Sequence, residues 1–394
     1  MERIGIFGGA FNPPHVGHLD AARYAAQALG LSRLLLIPSN ISPHKQAPSQ
    51  TANAQQRLEM TGLAAAGIPG LEVCDIELRR EGISYTYQTI EQLAAEYPDA
   101  QLVLLMGTDM FLCFDSWKET GRILAHATLG VFCRGEKAEK EAIAAKKQQL
   151  EASGVRVELV AHPVTAISST QLRRMLIFDC ASPFLADPVQ VYIRENGLYG
   201  TGRDYRNLSM AELEQTVVEL LNPNRVRHVL GCRDTAAKLA RYWGADETAA
   251  ARAGLLHDVT KALDGPLQLT LCREYGRVLD EFSENNPKTL HALTGSLVAE
   301  RVFGESRAVV DAIASHTTGK PGMNLLEKII YVADYMEPNR DFPGVERLRE
   351  LAYTDIDKAL ALGLQMTLDV LKEQGRQISP ASAQALAYLQ NTCL

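Results

Sequence analysis

What this sequence lacks narrows its function first. No stretch of about 18 consecutive apolar residues occurs, so no membrane span is expected. The N-terminus, Met1-Glu2-Arg3-Ile4-Gly5-Ile6-Phe7, has no long apolar leader core and reads as a first strand, so no signal peptide is expected. The seven cysteines are odd in number, widely spaced and never C-x-x-C. That usage fits reduced thiols and a cytoplasmic location. There is no basic excess. Formal net charge is -7, which argues against a general nucleic-acid binder and leaves room for small anionic substrates held by a few local cations. No repeat and no low-complexity segment is found.

What is present amounts to two unlike halves. The length of 394 residues exceeds one ordinary core, and an apolar content of 46% suits folded domains. In the front half, short apolar runs at Ile4–Phe7, Leu34–Ile37, Leu71–Ile76, Leu102–Met106, Thr128–Phe132 and Val155–Val160 alternate with helix-length stretches. This alternation predicts a doubly wound parallel sheet (α/β) that binds ligands beyond the carboxyl ends of its strands. Glycines at 197, 200 and 202 mark a boundary. Beyond it the strand signal stops and apolar residues recur at three- and four-residue spacing, which predicts an all-helical domain. The expected division is 1–200, a linker over 201–208, and 209–394.

Directly after the first strand comes Gly8-Gly9-Ala10-Phe11-Asn12-Pro13-Pro14-His15-Val16-Gly17-His18. Gly8 and Gly9 permit a tight turn and close approach of backbone to a ligand. His15 and His18 fall one turn apart at a helix start, where free N–H groups and the dipole favour phosphate. A metal pair is the alternative for two such histidines, but no third ligand is obvious nearby.

In the rear half, His228, His257, His291 and His316 accompany Asp258 and Asp334. Imidazole and carboxylate together suit a transition metal, and six such groups with Asp258 placed to bridge suit two. A lone helical histidine is more often structural. Four of them with an adjacent His-Asp pair, and an aspartate inside an apolar helix, weigh against that. Lys261, four residues beyond His257, is either a surface lysine or a phosphate contact. Thr317, Thr318 and Gly319 form a polar turn that could touch a nucleotide.

The front string resembles the signature of bacterial nicotinate-nucleotide adenylyltransferases. Pro38-Ser39-Asn40-Ile41-Ser42-Pro43-His44-Lys45, Gly107-Thr108-Asp109 with Trp117, Ile167-Ser168-Ser169-Thr170-Gln171-Leu172-Arg173 and Asn196-Gly197-Leu198-Tyr199 extend the likeness. One departure is Ser42, where that family often has proline. The resemblance implies transfer of AMP from ATP, with Mg²⁺, to nicotinate mononucleotide, releasing pyrophosphate. It implies catalytic roles for His15, His18, Lys45 and Arg173. It implies nucleotide contacts at Gly8, Gly9, Phe11, His44, Thr108, Asp109, Trp117, Ser168, Ser169 and Thr170. Trp117 stays open between core packing and stacking on the pyridine ring, and Asp109 between helix cap and ribose or base contact.

The rear half is similar to HD-domain hydrolases that cleave diadenosine tetraphosphate symmetrically. Arg225-Val226-Arg227-His228, Leu255-Leu256-His257-Asp258-Val259-Thr260-Lys261, Thr289-Leu290-His291, His316-Thr317-Thr318-Gly319-Lys320 and Ala333-Asp334-Tyr335-Met336-Glu337-Pro338-Asn339-Arg340 carry the likeness. It implies two metals, iron by resemblance, release of two ADP, and phosphate neutralisation by Lys261 and Arg340. The rival expectations are a non-catalytic nucleotide-sensing HD module, a cytidylyl- or pantetheine-type transferase in front, and a nuclease behind. The oligomeric state is not legible.

Overall fold

A computed structural model describes residues 2–40, 52–133, 137–161 and 167–392. The chain separates into two compact units between Arg203 and Asp204. Part of the expected linker already belongs to the second unit. There Tyr205 packs its ring edge-on against Phe303, and Leu208 receives a hydrogen bond from Arg252.

The first unit is built on β1 (Arg3–Gly9), β2 (Arg33–Pro38), β3 (Leu71–Val73), β4 (Gln101–Gly107), β5 (Ala127–Cys133) and β6 (Val157–Ala161). All five pairings are parallel, in the order β3-β2-β1-β4-β5-β6. Helices cover such a sheet on both faces, so its central strands are apolar without alternation. Leu102 to Met106 of β4 are accordingly all buried. The strand order reverses between β1 and β4, and that switch opens a crevice at their carboxyl ends. β3 stops at Val73, short of the expected Ile76. The backbone turns at Asp75, whose carbonyl accepts the amides of Leu78 and Arg79.

The second unit contains no strand among its described residues. Its first helix, Met210–Leu220, starts at Ser209, whose hydroxyl accepts the Glu212 amide while the Ser209 amide donates to the Glu212 carboxylate. Such caps contribute about 1 kcal/mol each. The long helix Pro223–Trp243 lies against Glu247–Leu256 so closely that a Cβ on Gly254 would stand 2.8 Å from the Arg233 backbone. That close crossing lets side chains of the two helices meet. Around them Val229, Cys232, Leu239, Leu255, Leu256 and Ile330 are fully buried.

No helix among the described residues is long and apolar enough to cross a membrane. The six described cysteines, Cys74, Cys113, Cys133, Cys180, Cys232 and Cys272, are free thiols.

Candidate active sites

In the first unit the string runs from the carboxyl end of β1 into the helix Val16–Ala28. Gly8 has open space where a Cβ would be. His15 caps the helix Val16–Ala28, and its amide donates to His18 Nδ1 at 3.2 Å. An Nδ1 that accepts leaves the imidazole proton on Nε2, so His18 is set as an Nε2–H donor. The two imidazoles lie 3.7 Å apart. Burial pushes His15 down to about 4, so it is neutral at ordinary pH, and its buried Nδ1 has no hydrogen-bond partner among the described residues. A bound phosphate oxygen or water would satisfy it.

The helix Ser169–Ile177 begins at Ser168, whose hydroxyl accepts the Gln171 amide at 3.2 Å. Ser169 donates to the Pro13 carbonyl at 3.3 Å, and Arg173 donates to the Asn12 carbonyl at 2.8 Å and to the Thr170 hydroxyl at 3.2 Å. The cradle loop and this helix start are therefore one assembly. Tyr199 completes it, donating to Asn12 Oδ1 at 2.6 Å.

Several expected contacts take other positions. His44 and Lys45 lie outside the described residues. Phe11 is 1% exposed, its ring edge-on against His18 at 5.0 Å, so the ring supports the imidazole and only its backbone can meet a ligand. The Thr108 hydroxyl is buried and donates to the Phe132 carbonyl, which ties β4 to β5. Asp109 is exposed in the first turn of Thr108–Leu112. Trp117 packs on Phe114 and the sheet core, favouring its packing role.

Sequence reasoning missed Arg57. Its guanidinium donates to the carbonyls of Ala10, Ser39 and Asn40. A lone arginine in a helix offers no signal of this.

In the second unit all six expected ligands converge. His228 Nε2 is 3.1 Å from Asp334 Oδ1 and 3.2 Å from His257 Nε2. Asp258 Oδ2 lies 3.7 Å from His228 Nε2 and 3.5 Å from His257 Nε2. Its other oxygen, Oδ1, lies 3.5 Å from His291 Nε2 and 4.0 Å from His316 Nε2. Atoms that each sit about 2.1 Å from one ion stand roughly 3–4 Å apart. Asp258 thus offers one oxygen to His228, His257 and Asp334 and the other to His291 and His316. Within the unit, His228–His257–Asp334 and His257–Asp258–His316 each form a group able to hold an ion.

The donor set fits metals on a further count. Asp258 is fully buried, yet its Oδ1 has no hydrogen-bond partner. An orphaned buried carboxylate oxygen is costly unless a cation meets it. Each histidine also presents Nδ1 to an acceptor: His228 to Glu337 Oε1 at 3.1 Å, His257 to Gly254 O at 2.8 Å, His291 to Lys288 O at 2.9 Å and His316 to Ile313 O at 2.7 Å. Protons held on Nδ1 leave the Nε2 lone pairs free. Burial pushes His291 down to about 3 and His316 to about 4, so both are neutral as ligands must be. His257 is drawn upward instead, its burial outweighed by Cys232 and Asp258. Asp258 and Asp334 are held far below the usual carboxylate range: burial opposes ionisation, and the surrounding imidazoles and cations overcome it.

Three cations rim the cluster. Arg225 pairs with Asp258 Oδ2, Arg340 with Asp334 Oδ1 at 2.6 Å, and Lys261 Nζ stands 2.9 Å from His291 Nε2. Four-residue spacing would put Lys261 on one helical face with His257, but the helix does not continue that far. That helix ends at Leu256, and bonds from Val259 to Leu256 and from Lys261 to Asp258 wind the chain into tight turns. Thr317 Oγ1 lies 3.1 Å from His291 Nε2 and 3.2 Å from His316 Nε2, at the cluster itself. Thr318 turns onto the Gly319 carbonyl, and Gly319 is buried at φ +65 under Ala385 and Leu364, so it packs rather than facing a ligand. The C-terminal helices Ile356–Glu373 and Pro380–Thr392 supply those lids.

Glu337 and Arg225 also escaped the sequence reading as site residues. His228 and Glu337 are 109 positions apart, and only folding pairs them. Glu337 is 1% exposed and takes two further bonds from Asn339 at 2.8 Å. Gly231 is needed because a Cβ there would collide with Glu337 Oε2. Glu337→Gln is expected to weaken metal affinity about 10–100-fold. Metal titration of the stripped protein measures this, and unchanged affinity would show that Glu337 does not tune His228.

Residues 6–175 match the Cytidylyltransferase-like family, and residues 225–339 match the HD domain family. A probable nicotinate-nucleotide adenylyltransferase of Geobacillus thermodenitrificans is 38% identical over 202 residues, spanning 51% of this chain and 87% of that protein. A symmetrical bis(5'-nucleosyl)-tetraphosphatase of Bacillus subtilis is 38% identical over 166 residues, 42% of this chain and 88% of that protein. Its counterpart in Halalkalibacterium halodurans is 41% identical over 167 residues, 42% of this chain and 89% of that protein.

Proposed function

The chain belongs to the nicotinate-nucleotide adenylyltransferase family in its first unit and to the symmetrical bis(5'-nucleosyl)-tetraphosphatase family in its second, and from that premise we propose a bifunctional nucleotide enzyme. The first unit transfers AMP from ATP to nicotinate mononucleotide. The second hydrolyses diadenosine tetraphosphate to two ADP. Each unit carries its own set of reactive groups, and this observation supports two activities rather than one.

In the transfer, a phosphate oxygen of the mononucleotide attacks the α-phosphorus of ATP in line, and pyrophosphate leaves. No protein nucleophile is required, so this half works by positioning and by meeting charge. His18 donates from Nε2 to the phosphoryl oxygens, neutral His15 lies beside it, and the open helix starts after His15 and Ser168 present backbone N–H groups. Arg173 holds the loop and faces the same anion. Lys45 and His44 add donors, and Mg²⁺ accompanies ATP.

In the hydrolase half, His228, His257, Asp258 and Asp334 would hold one divalent metal, and Asp258, His291 and His316 the other. Iron suits this nitrogen–oxygen set, as do manganese and cobalt. When bound, such a pair supplies Lewis-acid charge and makes a water nucleophile available near neutral pH. Arg225, Lys261 and Arg340 stand ready to turn from the ligand carboxylates and imidazole onto polyphosphate oxygens. Thr317 can hold a proton donor beside the scissile phosphate.

The test uses the full chain. With ATP, Mg²⁺ and nicotinate mononucleotide it should form nicotinate adenine dinucleotide and pyrophosphate. With diadenosine tetraphosphate and iron, manganese or cobalt it should form ADP alone. Binding of the tetraphosphate without ADP would replace hydrolysis by nucleotide sensing, and equal AMP and ATP would exclude symmetrical cleavage.

A further inference from the structure

Arg57 is a buried cation with no carboxylate partner among the described residues. It sits on the helix Ala54–Ala65, is 7% exposed, and spends its guanidinium on three backbone carbonyls: Ala10 at 2.8 Å, Ser39 at 2.6 Å and Asn40 at 3.1 Å. Burial draws it below the usual guanidinium value, and no carboxylate of the described residues acts on it. The segment 41–51 next in sequence contains no acidic residue. Arg173, on the other side of the cradle loop, is likewise unpaired with any carboxylate among the described residues. Charge buried in this way is unfavourable unless a counter-charge arrives. A site for polyphosphate provides one.

The carbonyls Arg57 joins are telling. Ala10 lies in the cradle loop after β1. Ser39 and Asn40 leave the end of β2, and the Ser39 amide donates to the Gly9 carbonyl at 2.9 Å. One planar group therefore fixes the spacing of the two strand exits that flank the anion site. Its donors are taken by carbonyls, so it does not grip the ligand directly.

Resting on the adenylyltransferase reading, we propose that Arg57 is a positioning residue of the transferase: it bolts the cradle loop to the exit of β2 and supplies a standing positive charge beneath the bound triphosphate. The two roles separate by substitution. Lysine keeps the charge but is a point donor that cannot span three carbonyls in a plane. Glutamine loses the charge.

The experiment uses full-length Arg57→Lys and Arg57→Gln, with steady-state kinetics for ATP and nicotinate mononucleotide. Tetraphosphate hydrolysis in the same preparations checks the second unit, and calorimetry checks the first. Arg57→Gln should raise KM for ATP about tenfold or more and lower kcat, with KM for nicotinate mononucleotide changing less. Arg57→Lys should recover KM for ATP to within about threefold of wild type while kcat stays about tenfold down. ATP parameters within twofold of wild type in a folded Arg57→Gln would overturn the proposal. If Arg57→Gln does not fold, Arg57→Lys decides, and wild-type kcat there overturns it. Loss of the first unit's thermal transition in both variants reduces Arg57 to a stabilising residue and also overturns it. A wild-type chain that makes no dinucleotide refutes the adenylyltransferase assignment itself, a separate outcome.

Discussion

Asp258→Ala is expected to abolish tetraphosphate hydrolysis, by about 10³-fold or more, and to strip metal from the purified chain, while dinucleotide synthesis continues. The reason is topological. The two oxygens of Asp258 face different imidazole sets, Oδ2 toward His228 and His257 and Oδ1 toward His291 and His316. Removing it takes an anionic ligand from both positions at once. It also leaves Arg225 facing uncompensated imidazoles. Asp258→Asn keeps the volume but not the charge, and should retain at most weak metal binding. Elemental analysis beside both activity assays measures this. Two metal equivalents persisting in Asp258→Ala would break the bridging assignment, and a parallel loss of synthesis would mean that the units do not act independently.

His18→Ala is expected to do the reverse, cutting dinucleotide synthesis about 10²–10³-fold with hydrolysis unchanged. His18 is held from several directions. Its Nδ1 takes the His15 amide, its ring centre lies 3.7 Å from that of His15 at a tilt of 32°, and Phe11 abuts it edge-on. A donor fixed before the substrate arrives needs no reorganisation as charge moves onto the leaving pyrophosphate. The loss should therefore fall mainly on kcat. His18→Asn, which can place an amide donor nearby, should recover part of it. A kcat reduced less than fivefold in His18→Ala would remove His18 from the transition state.

Asp258 and His18 are both legible in the sequence without a structure. His228 to Asp334 carry chemistry in their side-chain types, and carboxylates or imidazoles inside apolar helices announce that something must meet them. Glu337 does not. It resembles any glutamate at a helix end, and its value lies in a hydrogen bond to a residue 109 positions away. Lys261 was legible for the wrong reason. Helical spacing placed it with His257, whereas a run of tight turns brings its amine to His291. Phe11 and Thr108 sit in recognisable motifs, but the first is buried under an imidazole and the second ties two strands together. A motif records which residues recur together, not which of them face solvent.

The sequence by itself determined the two-part organisation, the parallel sheet, the helical second half and the identity of the six candidate ligands. Those follow from local periodicity and from the intrinsic chemistry of side chains. Tertiary structure alone decided that Asp258 faces both ways, that Glu337 meets His228, and that Arg57 joins the cradle loop to the end of β2. Each depends on distances between segments remote in the chain, set by how the strands and helices pack around their cores and not by the spacing of residues along it.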